Sequence, residues 1–222
     1  MQGERDGGKE IFLGILHRKM APKNKKDNNS NKKCKANSFT GQFSCDKMKD
    51  RNGWAYNANQ RGGGKMPNIL LTRIDNRLIH GQVGVTWTMT LGANLILVAD
   101  DETSENQLMQ QLMATTAKSS GAGVRFFSIQ KTIDIIHKAA DRQKIFIVCK
   151  TPKQVRQLIE GGVPITEVNV GNMHFSQGKR QISKKVYVDD EDMRDLKAIK
   201  DAGVTLYIQD VPGDSKESIK EL

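Results

Sequence analysis

Several residue types and patterns that define special classes of protein are scarce in this sequence of 222 residues. It has three cysteines and no CxxC pair, which excludes a disulfide framework. Cys34 and Cys45 are eleven positions apart with only His17 nearby, a spacing that does not favour a zinc site. No apolar run approaches the roughly 20 residues that cross a bilayer. The apolar stretch 11–16 is too short for the core of a signal peptide. These absences predict a cytoplasmic protein in a reducing compartment, without a metal ion.

The net charge of +10 is concentrated in one part of the chain. Residues 1–65 hold 15 Lys plus Arg and 6 Asp plus Glu, whereas residues 66–222 hold 20 and 19. A chain this basic would ordinarily suggest nucleic acid or an anionic membrane as its partner. Because the larger part is almost neutral, we expect no nucleic-acid partner for it. Nucleic-acid binding by the basic part alone is kept as an alternative.

Residues 1–65 are predicted to be a disordered basic extension. The stretch 23–35 alternates Lys with Asn and cannot bury enough apolar surface to offset the entropy of ordering. Arginine, three glycines and Lys65 precede Met66, and codons for these residues resemble a bacterial ribosome-binding site before a start codon. We therefore expect residues 1–65 to be a translated leader and residues 66–222 to be the folded domain. The alternative is a basic tail that contacts lipid or RNA.

From residue 68 onward, short apolar runs alternate with helical patterns. The predicted strands are Ile69–Ile74, Leu95–Ala99, Val124–Ser128, Ile145–Cys149, Val168–Val170 and Thr205–Ile208. The predicted helices are Gln82–Thr90, Glu105–Lys118, Lys131–Ala140, Pro152–Glu160 and Asp190–Asp201. Strands that are apolar on both faces indicate a mostly parallel sheet, here of about six strands, with helices on both faces. We therefore predict an α/β, doubly wound fold, whose ligand sites follow the carboxyl ends of the strands.

The turn after the first strand brings together residue types that suit a phosphoryl acceptor. Arg73, Arg77 and His80 lie within eight residues, and Gly81 and Gln82 open the next helix. A neutral imidazole nitrogen is a nucleophile at about pH 7, and guanidinium groups bind phosphate oxygens through forked N–H donors. A helix N-terminus attracts anions, and glycine lets the backbone approach them. We therefore predict His80 as the catalytic nucleophile and the other four as phosphate-binding residues.

Supporting roles are predicted for Asp75 and for a later loop. Asp75 either holds one of the arginines or fixes the tautomer of His80 by accepting its second N–H. Gly171, Asn172 and His174 follow the predicted fifth strand, where they could face His80 across a crevice and help to hold phosphate. The competing interpretation is a capped surface turn with weak ion pairs and an ordinary glycine-containing loop.

A nucleotide-binding enzyme is the second class of protein considered, but the sequence lacks two phosphate-binding motifs that are typical of this class. The stretch from Gly171 to Gly178 has six intervening residues where a phosphate-binding P-loop has about four. Arg180 then stands where the loop would place a metal-binding hydroxyl, and no GxGxxG follows any predicted strand. We therefore expect no nucleotide site.

Residues 68–222 resemble the IIB components of the mannose/fructose/sorbose family of bacterial sugar phosphotransferase systems. The resemblance rests on Ile74–Val83 (IDNRLIHGQV) and on Asn169–Phe175 (NVGNMHF). It implies a doubly wound α/β fold and a phosphohistidine mechanism. In this family a IIA component, phosphorylated on its own histidine, donates to IIB, and IIB phosphorylates the sugar that emerges through the membrane components. His80 aligns with the phosphorylated histidine, which in this family carries the phosphoryl group on Nδ1.

Three later segments look most like the N-acetylgalactosamine- and galactosamine-specific members: Gly171–Ser176, Lys184–Asp190 and Ile208–Asp214. The expected activity is that of a protein-N(pi)-phosphohistidine–sugar phosphotransferase acting on one of these sugars. Mannose, fructose and sorbose are alternatives, as is a regulatory phospho-carrier that acts on a transcriptional regulator. The resemblance further implies IIA, IIC and IID as partners, no cofactor, and a cytoplasmic location peripheral to the membrane. It leaves homo-oligomerisation open.

Overall fold

The computed structural model describes residues 48–49, 55–56, 66–220 and 222. The chain divides into two units, Met1–Gln60 and Arg61–Leu222. In the first unit the structure describes only β1 (Met48–Lys49) and β2 (Ala55–Tyr56), which pair antiparallel. The prediction of a disordered leader over 1–65 otherwise lies outside the described residues and stays a prediction.

The second unit is built on a six-stranded parallel sheet. Its strands are β3 (Asn68–Asp75), β4 (Leu95–Ala99), β5 (Gly123–Phe127), β6 (Lys144–Cys149), β7 (Glu167–Asn172) and β10 (Thr205–Ile208). Their order in space is β10-β7-β3-β6-β4-β5, and all neighbouring strands run parallel. An antiparallel ribbon of β8 (Arg180–Ser183) and β9 (Val186–Val188) follows β7 in the chain.

Helices cover both faces of this sheet. They are α1 (π-helical over Gln82–Trp87 and α-helical over Thr88–Leu91), α2 (Asp101–Glu105), α3 (Gln107–Ala117), α4 (Ile129–Ile135), α5 (Pro152–Glu160) and α6 (Asp190–Asp201). The 3-10 turns Lys118–Ser120 and Ile136–Lys138 extend α3 and α4. Two apolar clusters result: α1 and α3 contribute Val83 and Met113 to one, and α4, α5 and α6 contribute Ile129, Leu158 and Leu196 to the other. The predicted doubly wound α/β fold is confirmed.

Two helices begin where their sequences carry complete capping signals. At α5 the Thr151 side chain accepts from the backbone N–H of Gln154, and the Gln154 side chain caps the backbone of Thr151 in return. At α6 Asp189 and Asp192 form the same reciprocal pair. Acidic residues also fill the first turn of α6, where the helix dipole favours negative charge. These signals explain why both helices have their predicted bounds.

The structure departs from the sequence prediction at several elements. α2 was not predicted, and the predicted helix Lys131–Ala140 is instead α4 with a 3-10 turn that ends at Lys138. The predicted helix Glu105–Lys118 is divided at Asn106, whose side chain accepts from the backbone N–H of Met109 and so caps α3. The ribbon β8–β9 has no counterpart among the predicted elements, because its strands are short and Arg180–Ser183 is polar at three of four positions. Within the described part of the chain, no helix is both long enough and apolar enough to span a membrane.

The carboxyl end of β3 marks the point where the strand order reverses. β3 lies between β6 and β7: the chain forms β4, β5 and β6 on one side of β3 and then crosses to form β7 and β10 on the other side. At the end of this strand Asp75 pairs with Asn172 of β7, so the loops that follow β3 and β7 start side by side. Ligand sites of doubly wound sheets lie at such a reversal. The predicted site residues of both loops are therefore at the appropriate edge.

Candidate active site

The segment between β3 and α1 is a tight turn that runs directly into the helix. The Leu78 N–H donates to Asp75 O at 2.9 Å and closes the turn. Leu78 is buried and has a φ of 56°, in the left-handed region that residues other than glycine seldom adopt. Such strain costs about 1–3 kcal/mol and is concentrated at functional sites. Two residues later His80 joins the helix, because its carbonyl accepts from Gly84 N at 2.7 Å.

The imidazole of His80 is oriented by one carboxylate. Its Nε2 lies 3.1 Å from Asp75 Oδ2, and its side chain is 20% exposed. An ionised carboxylate can only accept hydrogen bonds, so Nε2 is the nitrogen that carries the proton. In the neutral ring the lone pair then resides on Nδ1, which has no protein partner among the described residues. Asp75 therefore sets both the orientation and the tautomer of His80.

Asp75 is completely buried but ionised. Burial alone would raise the pKa of this carboxyl, but the hydrogen bond from His80 and the charge of Arg73 outweigh it and bring the pKa down to about 2. Its Oδ1 accepts from the backbone N–H of Arg77 at 3.1 Å and from Arg77 Nε at 3.4 Å. Its Oδ2 accepts from Nε and Nη2 of Arg73 at 3.3 and 3.0 Å. The two alternatives predicted for Asp75 thus occur together: it holds the arginines and orients the imidazole.

Arg73 lies in the interior, and this position does not favour its predicted role as a phosphate ligand. Its side chain has no exposed surface. Besides its bonds to Asp75, it donates to Asn169 Oδ1 and, at 3.1 Å, to the carbonyl of Gln209. Its Cζ lies 5.0 Å from the ring centroid of Trp87, a cation–π contact. Because an external phosphoryl group could reach Arg73 only if these contacts broke, we infer that Arg73 positions Asp75 instead.

Gly171 leaves space for the side chain of Arg73, and this position does not favour the predicted contribution of Gly171 to phosphate binding. A Cβ atom at Gly171 would lie 1.9 Å from Cζ of Arg73 and 2.0 Å from Nη2. The guanidinium therefore occupies the space in which any other residue would have its side chain. The absence of a Cβ at Gly171 is what allows Arg73 to lie between β3 and its neighbours.

Arg77 is the arginine that remains available to an anion. Its side chain is 39% exposed, and its single side-chain bond goes through Nε to Asp75 Oδ1. Within the described residues, its two Nη groups have no hydrogen-bond partner. Arg77 and His80 bind different oxygens of the same carboxylate, which keeps the guanidinium beside the imidazole. This geometry supports the phosphate-binding role of Arg77, which stays a prediction.

Gly81 and Gln82 form the open side of the site. Gly81 is exposed, and a Cβ atom there would meet no protein atom within 4 Å. α1 begins at Gln82, and the first backbone N–H groups of a helix have no partner inside the helix. The site thus has both room and backbone donors next to His80. The phosphate-binding roles of Gly81 and Gln82 stay predictions.

Asn76 connects the turn to two neighbouring strands, a role that was not predicted from the sequence. Its backbone N–H donates to Asn172 O at 3.0 Å, and its side-chain Oδ1 accepts from the backbone N–H of His174 at 2.5 Å. Its Nδ2 donates to the carbonyl of Lys150, just beyond β6, at 3.0 Å. One side chain thus holds together the ends of β3, β6 and β7. Asparagine in a turn after a strand is the available signal, because its amide readily bonds to nearby backbone groups.

The predicted supporting residues of the second loop do lie beside the turn, but they bond to each other. Asn172 is buried, and its Nδ2 lies 2.9 Å from Nε2 of His174. Since an amide NH2 can only donate, His174 Nε2 accepts and His174 carries its proton on Nδ1. His174 itself is exposed. The loop is thus hydrogen-bonded to the His80 turn through Asn76, and direct phosphate contacts from Asn172 and His174 stay predictions.

Comparisons with known proteins agree with this architecture. The family model described as PTS system sorbose subfamily IIB component matches residues 69–222. The N-acetylgalactosamine-specific phosphotransferase enzyme IIB component 1 of Escherichia coli (strain K12) is 63% identical over 155 residues, 70% of this chain and 98% of that protein. The PTS system fructose-specific EIIB component of Bacillus subtilis (strain 168) is 32% identical over 71% of this chain and 96% of that protein.

Two solved structures of similar proteins match the fold. The crystal structure of the PTS system N-acetylgalactosamine-specific IIB component 1 from Escherichia coli has a TM-score of 0.67 at 63% identity, over 68% of this chain and 99% of that one. The IIB domain of the sorbose permease from Klebsiella pneumoniae has a TM-score of 0.66 at 29% identity, over 69% of this chain and 94% of that one.

The chain therefore belongs to the sorbose-subfamily IIB components of the bacterial phosphotransferase system. It is a phosphotransferase component of sugar transport, of the class that works with IIA components and with the membrane components IIC and IID. The resemblance identified from Ile74–Val83 and Asn169–Phe175 is confirmed.

Proposed function

We propose that His80 accepts a phosphoryl group on Nδ1 from a phosphorylated IIA protein and transfers it to an incoming sugar. The observation that carries this proposal is the 3.1 Å contact between His80 Nε2 and Asp75 Oδ2. It leaves Nδ1 as the nucleophilic nitrogen on a partly exposed ring. The activity is that of a protein-N(pi)-phosphohistidine–sugar phosphotransferase, and the donor is a protein, so no cofactor is required.

The transfer requires no change of tautomer on His80. In the first step the P–Nδ1 bond of His80 forms while the P–N bond of the donor's phosphohistidine breaks. The proton on Nε2 stays in its hydrogen bond to Asp75, and the negative charge of Asp75 offsets the positive charge that the ring gains. In the second step a sugar hydroxyl forms an O–P bond and loses its proton to solvent, the P–Nδ1 bond breaks, and His80 returns to its starting state.

Arg77 and the start of α1 stabilise the phosphoryl group during both steps. Phosphoryl transfer places negative charge on the equatorial oxygens, and oriented cations and N–H groups lower the barrier by binding them. The free Nη groups of Arg77 and the backbone N–H groups near Gly81 and Gln82 are the donors that this chain offers. Arg73 contributes indirectly, through its bonds to Asp75.

N-acetylgalactosamine is the substrate that we propose, with galactosamine as the related second choice. The support is the identity of 63% and 54% to two IIB components of Escherichia coli (strain K12) whose names specify N-acetylgalactosamine. The fructose- and sorbose-specific relatives are each 32% identical, and the mannose-specific ones 34%. We further propose that the protein acts in the cytoplasm, where its donor is a cognate IIA protein and its sugar arrives through cognate IIC and IID proteins.

Sugar phosphorylation in reconstituted membranes tests this proposal. Vesicles containing the cognate IIC and IID proteins receive phosphoenolpyruvate, the general phosphotransferase proteins, IIA and this chain, with each candidate sugar in turn. We expect phosphorylation of N-acetylgalactosamine at a rate well above that of mannose, fructose or sorbose. His80→Gln, which lacks a nucleophilic nitrogen, is expected to lower this rate by more than about 10³-fold. Equal rates for His80→Gln and the parent chain would contradict the proposal, as would preference for another of these sugars.

A further inference from the structure

A single aromatic side chain is prominent on the surface of the described residues. Phe175 is 67% exposed, and it lies in the loop that follows β7. The other large apolar side chains with comparable exposure are aliphatic or methionine: Met66, Met89, Leu108, Met109 and Leu112. Exposing a phenylalanine to water is unfavourable by roughly 1.5–3 kcal/mol relative to burial. A surface phenylalanine next to a site is therefore a candidate contact for a partner.

Phe175 is held in a fixed position relative to the His80 turn. The ring packs edge-on against Tyr187, with centroids 5.6 Å apart and an angle of 76° between the ring planes. The preceding residue, His174, donates its backbone N–H to Asn76 in that turn. Since consecutive Cα atoms are about 3.8 Å apart, Phe175 is only one residue from a direct contact with the turn. A side chain fixed in this way loses little entropy when a partner covers it.

Charge around Phe175 and His80 is suited to a phosphorylated partner. Arg77 has free Nη groups beside His80. The ammonium groups of Lys179 and Lys185, farther along the β7–β9 segment, are already bound by Asp192 and Asp210. The Nη groups of Arg77 are thus free donors directly beside His80 that can respond to a new negative charge. A partner that brings a phosphoryl group would find the free Nη groups of Arg77 and one exposed aromatic ring on adjacent loops.

We propose that Phe175 is the apolar anchor by which this chain docks its phosphorylated donor protein. The proposal rests on the proposed function, because it takes IIA as the donor to His80. Specific interfaces bury about 800 Å² on each partner, so a protein centred on His80 also covers the loop that is hydrogen-bonded to its turn. Rigid aromatic side chains in such positions supply a large part of the binding energy. Phe175 then sets the affinity for the donor, and His80 with Arg77 performs the transfer.

Steady-state phosphorylation of the full chain by IIA tests the proposal. We expect Phe175→Ala to raise the KM for phosphorylated IIA at least tenfold and to leave kcat within about twofold. Leu112→Ala is the matched control, because Leu112 is an apolar side chain that is 57% exposed on α3, outside the His80 turn and the loop after β7. Its KM is expected to stay unchanged. Phosphorylation of His80 by the small donor phosphoramidate, which needs no docking surface, is expected to be the same in all three proteins.

The outcomes separate the docking proposal from the proposed function. An unchanged KM for Phe175→Ala would overturn the docking proposal while the parent chain is still phosphorylated by IIA. A larger KM for Leu112→Ala than for Phe175→Ala would also overturn it and would place the donor on α3. Failure of the parent chain to accept phosphoryl from either IIA or phosphoramidate would instead refute the proposed function. Restoration of a low KM by Phe175→Leu would show that apolar contact, not ring stacking alone, carries the docking energy and would support the anchor.

Discussion

Replacing Asp75 by Asn is expected to slow phosphorylation of His80 by about 10²–10⁴-fold. The amide can present an N–H to the imidazole, so Nε2 is no longer held as the protonated nitrogen and the lone pair is no longer fixed on Nδ1. In enzymes with a Ser-His-Asp triad, replacing the tautomer-fixing aspartate by Asn lowers kcat about 10⁴-fold. His80, like the histidine of such a triad, must keep its proton on the nitrogen that faces the carboxylate. The amide also cannot offset the charge that the ring gains on phosphorylation. Rapid-quench measurement of phosphoryl uptake from IIA gives the rate.

A matched carboxylate separates this catalytic effect from simple loss of an ion pair. Asp195 of α6 binds Arg156 Nε at 2.7 Å and is 9% exposed, but it has no bond to the His80 turn. We expect Asp195→Asn to be phosphorylated at the parent rate.

Asp75→Asn also leaves the buried guanidinium of Arg73 without its counter-charge, which costs about 3–5 kcal/mol of unfolding free energy. Assays below the thermal midpoint of each variant remove that complication. Parental rates in Asp75→Asn would show that the carboxylate does not fix the tautomer.

Gly171→Ala is expected to destabilise the fold by about 3–5 kcal/mol, the size of a disrupted buried ion pair. Its Cβ would lie 1.9 Å from Cζ of Arg73. A flexible arginine end would normally move aside, but this one is held by Asp75, Asn169 and the Gln209 carbonyl in a space without solvent. Any displacement breaks those bonds and weakens the support of Asp75. Thermal and urea unfolding followed by circular dichroism gives the change in free energy.

Gly81→Ala is the control for this second prediction. Gly81 has a φ of −46°, and an added methyl group there would meet no atom within 4 Å. The backbone conformation suits any residue, so we expect the unfolding free energy to change by less than about 0.5 kcal/mol. If Gly171→Ala were as stable as Gly81→Ala, Arg73 would have an alternative position, and its role in supporting Asp75 would have to be abandoned.

The sequence predicted those parts of the fold that depend on local signals. The strands Leu95–Ala99 and Thr205–Ile208 and the helices Pro152–Glu160 and Asp190–Asp201 have the predicted bounds. The apolar runs and capping residues that define these strands and helices lie within the short stretches themselves, so the elements can be recognised without knowledge of distant contacts. The turn around His80 was recognisable for a similar reason, since nucleophile, cation and carboxylate lie close together in the chain.

The contacts that give each site residue its role depend on residues far away in the sequence. Arg73 and Arg77 are both arginines near a histidine, but only Arg73 meets Asn169 and Gln209, 96 and 136 positions later. Those contacts make one arginine a buried support and leave the other at the surface. Asn76 likewise acquires its role from β6 and β7. Charge and position within a motif could not distinguish these cases, because strand order decides which side chains become neighbours.

Nuclear magnetic resonance of the phosphorylated chain tests the central claim most directly. The claim is that Asp75 holds Nε2 of His80 in its protonated form and reserves Nδ1 for the phosphoryl group. The chain is labelled with ¹⁵N-histidine, phosphorylated by IIA, and examined for one-bond coupling between ³¹P and the ring nitrogens. We predict coupling to Nδ1 of His80 and a proton on Nε2. Coupling to Nε2, or a phosphoryl group on any residue other than His80, would contradict the account.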